Sequence, residues 1–357
     1  MKLVLLAPEL FASEGGIARI LRLYLKACCE VCAPDSEVHL VVLNDAQLDT
    51  LDARRYSDDR LTDWAMCSRS KPAFVRAALS AARSADIIVC GHIGQLPVAW
   101  LCRRLNPSLR YVLVAHGLEV WRRFSLVKRL ALRRAHQIWC VSDYTRQQLL
   151  MRCTVDPARA VVLPNALDPA LLPTDAPEPA TGSVLLTLSR LTFADRYKGV
   201  DHVIEVLPEV RRAIPDATLH VIGRGDDLAR LQALAVRVGV QEHVRFLGFL
   251  SDRELTASFS RCRAFVLPSE REGFGLVYVE AMAQGRPCVG ARAGGTPEVI
   301  TGEVGLLATY GDRGDLARCC VEALRRDWDV RALQARAARF SYANFRDRLG
   351  TLLRPAP

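Results

Sequence analysis

Short apolar runs alternate with longer amphipathic stretches along most of this chain. Few folds accept that pattern. A run too short for a helix and bounded by turn residues reads as a buried strand, and two parallel strands need a crossover of about a dozen residues between them. In the first half the strand candidates are Lys2–Ala7, Val38–Leu43, Ile87–Cys90, Tyr111–Ala115, Ile138–Ser142 and Ala160–Leu163, with helical stretches such as Ile17–Cys32 and Pro72–Ser84 between them. Residues 164–182 (PNALDPALLPTDAPEPATG) then lose all periodicity and carry five prolines. Past them the alternation restarts, with strands at Val184–Ser189, Thr218–Ile222, Val244–Phe246, Ala264–Leu267 and Cys288–Gly290 and helices such as Val200–Ile214 and Leu228–Val238. The fold class is therefore α/β, with two Rossmann-like domains. The expected divisions are residues 1–168, a linker over 169–182, a second domain over 183–340 and a closing helix within 341–357. A length of 357 residues agrees with about two domains. Open parallel sheets bind ligands at the C-terminal ends of their strands, so two of them joined by a linker imply a cleft.

Composition narrows the function classes. No apolar run approaches the roughly 18 residues needed to cross a bilayer, and Pro8 and Glu9 interrupt the first one before an export core could form. Twelve cysteines include a single C-x-x-C pair, Cys29 and Cys32, inside a helical run, so they read as small apolar residues of a reducing cytoplasm. The net charge of +9 is uneven: residues 1–170 hold 23 Lys/Arg against 16 Asp/Glu. An anionic partner of the first half follows. The stretch Trp121–Arg134 (WRRFSLVKRLALRR) reads on a helical wheel as a basic amphipathic helix, which fits either an anionic membrane surface or an ordinary solvated face.

The densest chemical signal is Pro268–Ile300. A strand runs into Glu272-Gly273-Phe274-Gly275, and a helix begins near Leu276. Glycines let backbone N–H groups approach a ligand, and a helix N-terminus favours negative charge, as a diphosphate requires. Glu272 and Glu280, one on the loop and one in the helix, suit a sugar and a ribose; the competing reading of Glu280 is a surface charge. After the first strand of the second half, SRLTFADRYKG places Arg190 and Lys198 at a strand end, where a guanidinium fork and an ammonium suit a diphosphate leaving group. Gly223-Arg224-Gly225 resembles the start of a dinucleotide fingerprint but has Leu228 in place of the third glycine, so it reads as a turn near a nucleoside. Glu14-Gly15-Gly16 makes a second glycine-lined helix start, and His116 ends a strand beside Gly117. Asp327-Trp328-Asp329 has the D-x-D form but lies away from any strand end, so no metal site is expected.

Together GGIAR (15–19), AHGLE (115–119), VSDYTR (141–146), LPNALD (163–168), SRL with YKG (189–199), GRGDD (223–227), LGFLSDREL (247–255) and the E-x7-E block closely resemble the GT-B-fold retaining glycosyltransferases of family 4, over nearly the whole chain. The resemblance implies a donor nucleotide-sugar, GDP-mannose or a UDP-sugar, and a saccharide or lipid-linked acceptor, without metal cofactor or nucleic acid. It implies that Arg190 and Lys198 bind the donor diphosphate, Glu272 the transferred sugar with the backbone of Gly273, Phe274, Gly275 and Leu276 nearby, and Glu280 the ribose. His116 would lie beside the sugar, Gly15 and Gly16 would face the diphosphate, Gly223 would turn near the nucleoside, and backbone near Gly248–Ser251, including Phe249, would meet the base. Asp195-Arg196-Tyr197 ahead of the lysine is most similar to transferases that extend lipid-linked saccharides, some of them mannosyltransferases. Two other readings share the architecture, a nucleotide-sugar 2-epimerase and a non-catalytic nucleotide-sugar-binding subunit.

Overall fold

Successive residues of a strand point to opposite faces of its sheet. In β1 (Lys2–Ala7), Leu3, Leu5 and Ala7 enter one core cluster while Val4 and Leu6 enter another. Both faces of this sheet are covered, which is why its strands read as unbroken apolar runs rather than as alternation. The computed structural model describes residues 1–12, 15–48, 50–172 and 180–354. The chain divides into two units, Met1–Asp168 with Tyr342–Pro357, and Pro169–Ser341.

The first unit carries, among the described residues, a seven-stranded parallel sheet in the order β3-β2-β1-β4-β5-β6-β7. Its further strands are β2 (Glu37–Val42), β3 (Leu61–Met66), β4 (Ile87–Cys90), β5 (Arg110–Ala115), β6 (Gln137–Cys140) and β7 (Ala160–Val162). The crossovers are α1 (Gly16–Val31), α2 (Thr50–Tyr56), α3 (Lys71–Ala82), α4 (Leu96–Leu105), α5 (Leu126–Arg134) and α6 (Asp143–Arg152). The second unit carries a six-stranded parallel sheet in the order β10-β9-β8-β11-β12-β13. Its strands are β8 (Val184–Leu188), β9 (Thr218–Ile222), β10 (Val244–Gly248), β11 (Ala264–Leu267), β12 (Cys288–Ala291) and β13 (Gly305–Ala308). Its helices are α7 (Val200–Ala213), α8 (Leu228–Arg237), α9 (Asp252–Arg261), α10 (Leu276–Ala283), α11 (Thr296–Val299), α12 (Arg313–Arg325) and α13 (Val330–Ala338).

Each strand order reverses once, between β1 and β4 and between β8 and β11. Crossovers leave such a point toward opposite faces, and a crevice opens at the strands' C-terminal ends. The last helix, α14 (Tyr342–Leu353), belongs to the first unit and packs on α1. Phe345 meets the ring of Tyr24 edge-on at 4.9 Å, and Tyr24 stacks on Trp139 at 6.1 Å. The hydroxyl of Tyr342 donates to Glu30 at 2.9 Å.

Three features correct the expectations. The basic stretch is not one helix: α5 begins at Leu126, behind an extended Ser125, while Trp121 and Phe124 lie in the preceding loop, half-buried against the core. The loop turns because Val120 N–H donates to Gly117 and Trp121 packs edge-on against Tyr144 at 5.1 Å. Two strands, β3 and β13, were not legible, and both are sheet edges. Within the span expected to be linker, Pro169–Leu171 forms a 3-10 turn, and 173–179 lies outside the described residues. All twelve cysteines are buried, unbridged thiols, and burial pushes several of them, such as Cys28 and Cys288, well above their ordinary range. Among the described residues no helix is long and apolar enough to cross a membrane.

Truncating Phe345 to Ala should destabilise the first unit by about 3–5 kcal/mol, the usual cost of emptying a buried aromatic site. Denaturant titration of the variant measures it, and a loss below about 1 kcal/mol would show that α14 adds little to that core.

Candidate active site

The second sheet's reversal point brings together the loops that follow β8 and β11. After β8 the chain runs through Ser189–Thr192 into a short 3-10 helix, Phe193–Lys198. After β11 it runs through Pro268–Gly275 to α10. Lys198 Nζ meets Glu272 Oε2 at 2.5 Å, with both side chains largely buried. The backbone ties the loops as well, since Glu270 N–H donates to the carbonyl of Tyr197 at 2.8 Å. Arg190 reaches Asp195 at 3.0 Å while its side chain stays 73% exposed. An ammonium, an exposed arginine and a helix N-terminus thus lie on the two loops that meet at this reversal point, an arrangement suited to a bound anion.

The glycines here are required by geometry. Gly275, immediately before α10, has φ +88°, and a Cβ on it would meet the Tyr278 ring at 2.4 Å. That conformation turns the chain so that Leu276 opens the helix. Phe274 is buried, packing edge-on against Phe340 at 5.2 Å, so this residue offers a ligand its backbone rather than its ring. Glu272 is held from behind by Gly295 N–H, which donates to its carbonyl at 2.7 Å. Glu280 is only 7% exposed within α10, which sets aside its reading as a surface charge.

Gly223 follows β9, where a Cβ would meet the Ser189 carbonyl at 1.8 Å. Only glycine lets this turn lie against the loop that carries Arg190. Gly223 N–H also donates to Gly248 at 2.8 Å, which brings the end of β10 alongside. Phe249 follows, 52% exposed, with the Arg224 guanidinium 5.4 Å from its ring centre. The 3-10 segment is braced from α8: Asp227, 2% exposed, accepts from Arg230 at 2.6 Å and from Arg196 at 3.0 Å. Those hydrogen bonds, Arg230 first, hold the Asp227 carboxyl below the usual range.

The remaining expected residues lie at the first sheet's own reversal point. Gly15 precedes α1 and Gly16 opens it, with open space where a Gly16 side chain would project; Glu14 lies outside the described residues. The loop between β1 and α1 is held by Asp45, which accepts from Phe11 N–H at 2.8 Å and Leu10 N–H at 3.2 Å. His116 follows β5, and its Nε2 donates to the Gly91 carbonyl, just past β4, at 2.8 Å. Glu119 accepts from the backbone N–H of His116 at 2.5 Å and of Gly117 at 3.2 Å.

Asp195, Asp227, Glu119 and His92 were missed by the sequence reasoning. Nothing local separates a buried acid from a solvated one, although Asp195, Asp227 and Glu119 all lie inside the motifs SRL–YKG, GRGDD and AHGLE. His92, two residues past β4, has its pKa lowered chiefly by burial. The D-x-D pair is structural: Asp327 pairs with Arg263 at 3.1 Å, and Asp329 caps α13 by accepting from Arg331 N–H. Among the described residues no group of three or more His, Cys, Asp or Glu could hold a metal ion.

Comparison with known proteins agrees with this geometry. The fold is that of GT-B enzymes. Anabaena HepE, solved with UDP and glucose, superposes with a TM-score of 0.79 over 99% of both chains at 22% identity. The sucrose-phosphate synthase of Thermosynechococcus elongatus gives 0.77 over 98% of both at 20%. Residues 29–171 match the model of Glycosyltransferase Family 4, and residues 182–326 that of Glycosyl transferases group 1. The chain belongs to the family 4, group 1 glycosyltransferases. A GDP-mannose-dependent α-(1-6)-phosphatidylinositol monomannoside mannosyltransferase of Mycolicibacterium smegmatis is 36% identical over 59% of this chain and 60% of its own. A glycogen synthase of Mycobacterium tuberculosis is 39% identical over 51% of this chain and 44% of its own. The chain thus spans about half the length of the curated relatives it matches.

Gly275→Ala should lower the thermal unfolding midpoint through a strained φ worth on the order of 1–3 kcal/mol, plus the Tyr278 clash. Gly302→Ala, where a Cβ meets nothing within 4 Å, is the control and should stay within about 0.5 kcal/mol of the parent. Equal midpoints for the two variants would contradict the role assigned to Gly275.

Proposed function

We propose that this protein transfers a sugar from a nucleoside-diphosphate donor to a saccharide or lipid-linked acceptor. The observation that carries the reading is the Lys198–Glu272 pair, joined to Arg190 and the start of α10 at the reversal point of the second sheet. The second unit binds the donor: Arg190 and Lys198 take the diphosphate, backbone N–H groups from Gly273 to Leu276 approach it, and Glu272 receives sugar hydroxyls. Glu280 serves the ribose, while Gly223 and Phe249 border the nucleoside. The first unit binds the acceptor, and Gly15, Gly16 and His116 lie on the loops around its own reversal point. Gly16 has neither a positive φ nor a neighbour that would exclude a side chain, so close approach of a ligand is a sufficient reason for glycine there. The named relative supports GDP-mannose as donor, and the UDP complexes of HepE support a UDP-sugar.

Transfer proceeds with retention and without metal. The anomeric carbon loses its bond to the diphosphate oxygen and gains one to the acceptor oxygen, and the acceptor's proton passes to the departing phosphate. Arg190 and Lys198 stabilise the charge that develops there. Glu272 is occupied by Lys198, so it is a poor candidate for a nucleophile. His116 orients the sugar.

Incubation with GDP-mannose and UDP-glucose should yield a transferred sugar with an α-donor's configuration kept, in the presence of EDTA. A β-linked product or dependence on added manganese would overturn the mechanism. Arg190→Ala or Lys198→Ala should each weaken nucleotide binding at least tenfold, as loss of a charge-assisted hydrogen bond worth about 1.5–3 kcal/mol requires. His116→Ala should lower turnover more than binding.

The location we propose is the inner surface of a membrane. α3, α4 and α5 pack side by side and contain no Asp or Glu. On α5, Leu126 (68% exposed), Val127 and Leu130 stand among Arg129, Arg133 and Arg134. Apolar side chains within a basic field favour an anionic bilayer surface. The protein should float with phosphatidylglycerol vesicles at low salt and not with neutral ones, and failure to float would retire this location.

A further inference from the structure

Arg190 presents a problem that the donor reading leaves open. Its side chain is 73% exposed, and a long exposed side chain samples many rotamers. Asp195 can restrict it. Asp195, midway along the 3-10 helix that ends at Lys198, is only 7% exposed, and its carboxylate faces three donors. Arg190 Nη2 donates to Oδ1 at 3.0 Å, Thr192 Oγ1 to Oδ2 at 2.7 Å and the Tyr197 hydroxyl to Oδ1 at 3.2 Å. Tyr197 also carries Lys198 over its ring at 5.6 Å, and its backbone carbonyl takes the Glu270 N–H. Asp195 therefore stands between both cations of the crevice. We propose that Asp195 is a positioning residue for the donor diphosphate: anchored by Thr192 and Tyr197, it clamps one nitrogen of Arg190 and aims the rest of the guanidinium fork at the phosphates. The inference rests on the donor reading above.

Stability alone does not account for the pair, because an ion pair with one partner this exposed contributes little to folding. What the contact supplies is direction. Arginine has five N–H donors in a rigid plane, so fixing one of them orients the others. Burial, and then the carboxylates of Asp195 and Glu272, push the Tyr197 hydroxyl well above its ordinary pKa. Tyr197 consequently stays protonated and remains a donor to Asp195 wherever the enzyme is folded.

The sign of the effect separates orientation from plain electrostatics. Asp195 is an anion beside a site for anions, so Asp195→Asn removes repulsion and would tighten nucleotide binding if charge alone mattered. Positioning predicts the opposite. Full-length protein and the variants Asp195→Asn, Arg190→Ala and the double substitution are titrated with UDP and GDP, and the transfer rate is followed with the matching sugar nucleotide. The expected result is a loss of about tenfold in affinity and kcat/KM for Asp195→Asn, with no further loss when it is added to Arg190→Ala. Tighter binding, or the same loss in both backgrounds, would overturn the inference while leaving the donor reading intact. Tyr197→Phe keeps the charge and removes one anchor, and serves if Asp195→Asn does not fold; its loss of about threefold should likewise vanish without Arg190, and persistence there would also refute the proposal. Parent protein that binds neither nucleotide would remove the donor reading, and this inference with it.

Discussion

A parallel strand cannot follow its neighbour without crossing over a face of the sheet, and crossovers are right-handed almost without exception. To cover both faces, the chain must reverse its winding direction once, and at that point two adjacent strand ends have no helix between them. Here the reversals fall at β1/β4 and β8/β11, and Gly15, Arg190, Lys198 and Glu272 lie on segments that leave β1, β8 and β11. Lys198 and Glu272 are 74 residues apart in sequence, yet the reversal makes them contact partners.

Charge within the second unit is handled by pairing rather than by excess. Glu272 holds Lys198, Asp195 holds Arg190, and Asp227 holds Arg196 and Arg230. Cations left unpaired around an empty site would repel one another and pull the loops apart. Each therefore has an acid that fixes its place in the folded unit. Arg190 differs in keeping most of its side chain exposed. The same loops pass close enough that Gly223 admits no side chain against Ser189, so backbone proximity and charge placement are parts of one packing solution.

The first unit distributes charge differently. Lys71, Arg76, Arg103, Arg104, Lys128, Arg129, Arg133 and Arg134 lie on α3 to α5, helices that contain no Asp or Glu, and this is one source of the uneven net charge. The unit's inner face is closed by α14, whose Phe345 completes the aromatic group of Tyr24 and Trp139. A segment arriving from the far end of the sequence is thereby built into the N-terminal core.

The strands with two buried faces were legible because complete burial leaves a continuous apolar run. β3 and β13 were not: β3 reads Leu61-Thr62-Asp63-Trp64-Ala65-Met66 and is half exposed, and β13 is a four-residue strand whose two central residues are only partly buried. The glycines, Arg190, Lys198, Glu272 and Glu280 were legible because tight turns, cations and carboxylates at strand ends carry a local signature. Trp121 and Phe124 have helical spacing, but core contacts that are distant in sequence draw them into a loop. What the sequence determined by itself is where the chain pairs into sheets, where it breaks between units, and which residue types stand at the strand ends. What only the tertiary structure decided is which acid faces which distant cation: Glu272 against Lys198, Asp227 against Arg196, Asp201 against Arg230. Burial and partnership of a carboxylate depend on loops that come together through the sheet order, and a linear pattern of residues carries no record of that.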